Sequence, residues 1–280
     1  PMSDFLASLG IEVMEGFNAE NLDHKPDLVV VGNVVRAVYD EAQALVERDL
    51  PYCSFPHLLG ELVLNKARSI VVAGTHGKTT TTAITTWLAK SADLSPGWLV
   101  GGVVLGLDRS AHQGGGKLFI IEGDEYDTAF FDKQPKFLHY RANTAILTSV
   151  EFDHADIYRD LDHVKESFTA LVKSLPKDGL LIARWDDPNV RAVAQDAECT
   201  LWKYGPGMEW SGEILSVDHD KGTMRFSVTR NDAVLLEAET SLVGEHNLWN
   251  QVAAVAALVQ EGLEPQTIAQ GFPSFQGIRR

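Results

Sequence analysis

The sequence predicts an α/β protein in which a parallel sheet is joined by a smaller antiparallel sheet. Two observations carry this. Short apolar runs that are continuous rather than alternating recur along the first 190 or so residues, with amphipathic helical segments between them, the pattern of parallel strands buried on both faces. After about Thr200 the runs become short and alternating, as antiparallel strands with one solvated face require.

Taken in order, Asp27-Leu-Val-Val-Val-Gly32 reads as a first buried strand, and 33–47 has helical spacing. Pro51 to Pro56 reads as a loop and Leu58 to Lys66 as a helix. A new unit opens with the strand Ser69–Ala73, the loop Gly74-Thr-His-Gly-Lys-Thr79 and a helix over Thr80–Lys90. Further strands are expected at 98–100, 118–121, 145–149 and 180–183, with helices at 161–174 and 188–196. The alternating segments are 200–204, 212–217, 223–229 and 234–242, and His246 to Val259 returns to an alanine-rich helix.

At 280 residues the chain has room for more than one domain. An apolar fraction of 45% and a charged fraction of 22% are those of an ordinary globular protein. A net charge of −15 argues against a general nucleic-acid binder, which needs a basic surface. No run approaches the ~20 apolar residues of a membrane span, and no basic, then apolar, N-terminal pattern marks a signal peptide. Cys53 and Cys199 stand alone, without zinc-ligand spacing, and are expected as reduced thiols.

The strongest local signal is Gly74-Thr75-His76-Gly77-Lys78-Thr79-Thr80 between a buried strand and a helix. Glycines permit close backbone approach, and N–H groups at a helix start favour an anion. Lys78 can reach terminal phosphates of a nucleotide such as ATP, and the Thr79 hydroxyl can ligate Mg²⁺. The usual phosphate-loop spacing would place a glycine at Val72, and here the first glycine is Gly74. Thr81 and Thr82 read as packing or capping residues.

Two further strands end in acidic residues. Glu122-Gly-Asp-Glu-Tyr-Asp127 follows the run 118–121, where ligands of open α/β sheets sit; Glu122 is either a Mg²⁺ ligand or part of a solvated acidic turn. Glu151, Asp153 and His154 follow 145–149; a lone histidine such as His154 is more often a capping or surface group than a metal ligand. In Gly244-Glu-His246-Asn247-Leu-Trp-Asn250 the two asparagines share a helix face, suited either to an adenine edge or to helix capping.

Together, GTHGKTTT at 74–81, EGDEYD at 122–127, EFDHADIY at 151–158, GEHNLWN at 244–250 and FQGIRR at 275–280 resemble the Mur ligase family. The resemblance implies a partial Rossmann-like, UDP-sugar-binding N-terminal domain over 1–66 and a central ATPase domain over 67–280. It also implies that the chain is a fragment lacking the family's C-terminal domain. The stretch 124–141, with Tyr126 where the L-alanine-adding branch usually has serine, is similar to the branch that joins the tripeptide L-alanyl-γ-D-glutamyl-meso-diaminopimelate to UDP-N-acetylmuramate in peptidoglycan recycling. The implied cofactors are ATP and Mg²⁺, and the implied location is the bacterial cytoplasm. Lys78, Glu122 and His154 take catalytic roles by this resemblance, with Thr79, Glu122 and His154 as metal ligands. Gly74, Thr75, His76, Gly77, Lys78, Thr79 and Thr80 line the nucleotide, as do His246, Asn247, Asn250 and Arg280. Other readings are the L-alanine-adding ligase of wall synthesis, the more distant folylpolyglutamate synthase and a non-catalytic nucleotide-binding regulatory module.

Overall fold

The computed structural model describes residues 6–153 and 158–279. In chain order the elements begin with β1 (Val29–Val31), α1 (Asp40–Glu47), β2 (Tyr52–Ser54), α2 (Phe55–Leu62), β3 (Arg68–Ala73), α3 (Lys78–Ser91), β4 (Gly97–Val104), β5 (Arg109–His112), β6 (Leu118–Glu122), β7 (Asp127–Ala129) and β8 (Asp132–Pro135). They continue with β9 (Thr144–Leu147), α4 (Leu161–Ser174), β10 (Leu180–Arg184), α5 (Pro188–Ala194), β11 (Thr200–Tyr204), β12 (Trp210–Asp218), β13 (Thr223–Arg230), β14 (Ala233–Thr240), α6 (Glu245–Gln260), α7 (Pro265–Gly271) and β15 (Ile278–Arg279). The chain divides into two compact units, one running through residue 58 with 127–134 added, the other comprising 59–126 and the chain from 135 onward.

In the first unit β1 and β2 pair in parallel, Val30 opposite Cys53. The expected loop at 51–56 therefore contains a strand, because pairing with a distant segment is invisible to local pattern. Residues 33–39, expected to be helical, form turns closed by Val35 N–H to Gly32 O and Tyr39 N–H to Arg36 O. Val34 and Val38 are 70% and 71% exposed, so this β-branched stretch has no buried face to favour a helix. The small core gathers Leu22, Val31, Ala44 and Leu45, and Ala129 from the 127–134 hairpin joins them.

The second unit is built on an eleven-stranded sheet of order β14-β13-β12-β11-β10-β9-β3-β6-β4-β15, with β5 on β4. From β12's junction with β11 to β4 the pairings are parallel. Residues of its inner strands alternate between two cores. Ile70, Val72, Ile120, Ile146 and Ile182 face one side, where α3, α6 and α7 pack through Ile84, Leu88, Val252 and Ile268. Val71, Ala73, Ile121, Leu147 and Leu181 face the other, against Val164, Phe168 and Leu171 of α4 and Val190 of α5. Burial on both faces explains why these strands read as continuous apolar runs. The antiparallel strands do not form a sheet of their own. They extend the large one through a single parallel pair, Tyr204 with Trp210.

Helix starts follow local chemistry. Asp160 caps α4 by accepting the His163 N–H at 2.9 Å, and Asp187 caps α5 ahead of Pro188. Threonines Thr82 and Thr85 are tolerated inside α3 because each donates its hydroxyl to a carbonyl one turn back, at 2.7 Å in both cases. Among the described residues no helix is long and apolar enough to cross a membrane.

Candidate active site

Strand β3 lies between β6 and β9, and the three carboxyl ends open on one cleft. The chain leaves Ala73 and turns through Gly74 at φ 129° and Gly77 at φ 81° into α3, conformations that side chains rarely adopt. A Cβ on Gly74 would run into Thr148 and the Ser149 backbone, and one on Gly77 would stand 2.7 Å from Asn250 Oδ1. The loop is thus packed against the segment after β9 and against α6.

Hydrogen bonds fix it there. Thr75 N–H donates to Ser149 O at 3.0 Å and His76 N–H to Ser149 Oγ at 2.9 Å. Thr148 returns its hydroxyl to His76 O at 2.6 Å, and Glu151 N–H donates to Thr75 Oγ1 at 2.9 Å. The first N–H groups of α3 have no partner within the helix, which leaves an anion-binding terminus beside Lys78.

Lys78 Nζ donates to Gly74 O at 2.7 Å, to Thr75 O at 3.2 Å and to the Glu125 carboxylate at 3.0 Å. Burial pushes the Glu125 carboxyl above its ordinary range, an effect that Lys78 partly offsets. Thr79 Oγ1 donates to Glu122 Oε1 at 2.8 Å, and the other oxygen of Glu122 accepts Gly101 N–H at 2.7 Å. Glu122 is therefore oriented from two sides and touches the helix start.

The loop from Thr75 to Thr79 and Glu122 line a cleft of about 430 Å³ with Asp124, Tyr126 and Asp153, within the size range of small-molecule sites. Asp124 organises its wall by accepting Tyr126 N–H at 2.9 Å and pairing with Lys136 at 2.6 Å. With Glu122, Asp124 and Asp153 on one cleft, a polyphosphate needs a cation besides Lys78 to enter. The Thr79 hydroxyl and Glu122 carboxylate, both hard oxygen donors in contact, fit Mg²⁺, which keeps several of its waters and takes few protein ligands. Among the described residues no three His, Cys, Asp or Glu side chains converge as a metal cage.

The structure brings Thr75, His76, Gly77, Lys78, Thr79 and Glu122 together in this cleft, with Gly74 behind them against Thr148 and Ser149. Asn250 docks on it, accepting the Thr81 hydroxyl at 3.1 Å. Asn247 donates to Val243 O at 2.9 Å and stands 3.4 Å from Asn250 Nδ2, so it braces the helix start and its neighbour. Thr80 follows on α3, and His246 is exposed at the start of α6 and lies outside the cleft lining. His154 and Arg280 lie outside the described residues. Sequence reasoning missed Glu125, Thr148 and Ser149. The last two fall within the strand expected at 145–149, which in the structure stops at Leu147, and Glu125 is one acid among several.

The Mur ligase middle-domain model matches residues 72–258. The chain belongs to the Mur ligase family. Its relatives within that family include the UDP-N-acetylmuramate–L-alanyl-γ-D-glutamyl-meso-2,6-diaminoheptandioate ligase of Escherichia coli K12, 38% identical over all of this chain and 61% of that protein. The UDP-N-acetylmuramate–L-alanine ligase of Clostridium tetani is 30% identical over all of this chain and 60% of that protein. A crystal structure of the Neisseria meningitidis UDP-N-acetylmuramate:L-alanyl-γ-D-glutamyl-meso-diaminopimelate ligase superposes with a TM-score of 0.92 at 37% identity, covering all of this chain and 88% of that one. The chain spans about three fifths of the length of the curated Mur ligases it matches.

Proposed function

We propose that the intact protein is an ATP-dependent ligase that joins L-alanyl-γ-D-glutamyl-meso-diaminopimelate to UDP-N-acetylmuramate, serving peptidoglycan recycling in the bacterial cytoplasm. The observation that carries the ATP half of this reading is the pairing of Thr79 with Glu122 beside Lys78 and a helix N-terminus in one cleft. The choice of amine is supported by identities of 35–38% to two tripeptide ligases against 29–32% to L-alanine ligases.

In this scheme a muramoyl carboxylate oxygen attacks the γ-phosphorus of ATP and ADP departs, giving an acyl phosphate. The peptide α-amine then attacks the acyl carbon, loses a proton and expels phosphate. Both partners of the first step are anions, so charge neutralisation is the main task. Lys78 and the N–H groups of α3 hold the phosphates in line. Thr79 and Glu122 would hold Mg²⁺, which supplies further neutralisation of the phosphate oxygens. We assign His154 to a second ion, Arg280 to the phosphates, and the Asn247–Asn250 face to the adenine, with His246 beside it.

Lys78→Ala in the intact protein tests the scheme. Phosphate release dependent on ATP and UDP-N-acetylmuramate is expected to vanish while circular dichroism stays that of the folded protein. Turnover retained by the folded variant would overturn the assignment.

A further inference from the structure

We propose that Glu125 is a positioning residue for Lys78, anchoring its ammonium from inside the protein so that the side chain meets an incoming phosphate already oriented. It rests on Lys78 being the phosphate-binding lysine proposed above.

An ammonium has three N–H donors, and in this structure Gly74 O, Thr75 O and the Glu125 carboxylate take them. Two of these acceptors belong to the loop itself. Glu125 comes from a separate segment, three residues beyond the metal-facing Glu122. It is 3% exposed, and both its oxygens stand 3.0 Å from Lys78 Nζ. A carboxylate so deeply buried is costly to keep without a matched cation.

The Glu125 backbone is held as well, by the buried Tyr158 hydroxyl donating to Glu125 O at 2.7 Å. Glu125 therefore cannot follow Lys78 outward. A lysine tip anchored at one end has already lost most of its rotamer freedom before the ligand arrives, which is how preorganisation acts. When a phosphate enters, the longest of the three contacts, at 3.2 Å to Thr75 O, is the one to yield. One N–H then turns to the phosphate while Glu125 and Gly74 O keep the other two. If Glu125 only neutralised a buried lysine, the kinetics of the folded enzyme would not depend on it.

Glu125→Gln in the intact protein keeps the shape and one acceptor but removes the charge. The kcat for phosphate release is expected to fall about ten- to a hundred-fold, the scale of a small misplacement at a reacting centre. The KM for ATP is expected to stay level or drop, because a negative charge near the phosphates has gone. A thermal-melt cycle gives a second readout that needs no turnover. Lys78→Ala should lower Tm by stranding the buried carboxylate, and adding Glu125→Gln should restore most of that loss. The inference is overturned by an unaltered kcat, by a loss carried wholly by a higher KM, or by a Lys78→Ala variant with wild-type Tm. Absence of ATP turnover in the unmutated protein would instead overturn the reading of the site, and this inference with it.

Discussion

Gly74→Ala probes how the phosphate loop is held. Gly74 sits at φ 129°, and a Cβ there would meet Ser149 N at 2.8 Å and Ser149 O at 2.9 Å, besides the Thr148 hydroxyl. Those neighbours are largely backbone, so they cannot swing away. Forcing a side chain into this region costs of order 1–3 kcal/mol. Pushing Ser149 aside also breaks its bonds to Thr75 N–H and His76 N–H, at about 0.5–1.5 kcal/mol each. The sum is roughly 2–6 kcal/mol, or a Tm fall of the order of 10 °C in a unit of this size. Gly222→Ala is the control, since Gly222 also has positive φ, at 65°, but nothing lies within 4 Å of its Cβ position; its cost is the left-handed backbone alone, about 1–2 kcal/mol. Differential scanning calorimetry of both variants decides. A Gly74→Ala fall no larger than that of Gly222→Ala would refute the claim that the loop is wedged against Thr148 and Ser149.

Thr79→Val keeps the volume of a buried side chain but removes the hydroxyl beside Glu122, so the Mg²⁺ concentration for half-maximal turnover should rise at least about tenfold; an unchanged requirement would remove Thr79 from the metal site. Asn250→Ala deletes the acceptor of the Thr81 hydroxyl and the contact over Gly77; stability should fall by about 1 kcal/mol and ATP affinity with it, read by urea melts and calorimetric titration. Glu125 gives a pH signature. Burial holds its folded-state value above the unfolded one, so the folded protein binds the proton more readily and loses stability as pH rises through the gap between the two values. Glu125→Gln should lack that loss in urea midpoints compared from about pH 4 to 8, and parallel curves for the two proteins would contradict it.

The central strands were legible because burial on both faces makes each an unbroken apolar run, as in Ser69–Ala73 and Leu180–Ala183. Helix 161–174 was legible because it buries one stripe, Val164, Phe168 and Leu171, at helical spacing. Strand β2 was not, since Tyr-Cys-Ser between prolines becomes a strand only by pairing with β1. The hairpin at 127–134 reads as a continuation of an acidic motif, yet Ala129 lies in the core of the first unit. Lys78 and Thr79 could be found because they belong to a glycine-bearing loop between a buried strand and a helix, and Glu122 because it stands where an apolar run ends. Glu125, Thr148 and Ser149 act on the loop from about 50 to 75 residues away in sequence, and no local pattern announces such a contact.

The measurement that bears most directly on the proposed activity is phosphate release by the intact protein with ATP, Mg²⁺ and UDP-N-acetylmuramate, comparing L-alanine with L-alanyl-γ-D-glutamyl-meso-diaminopimelate as amine. Release strongly favouring the tripeptide is the expected result. Release favouring L-alanine would move the protein to the L-alanine-adding ligases, and release with neither amine would contradict the assignment of UDP-N-acetylmuramate as the acyl substrate.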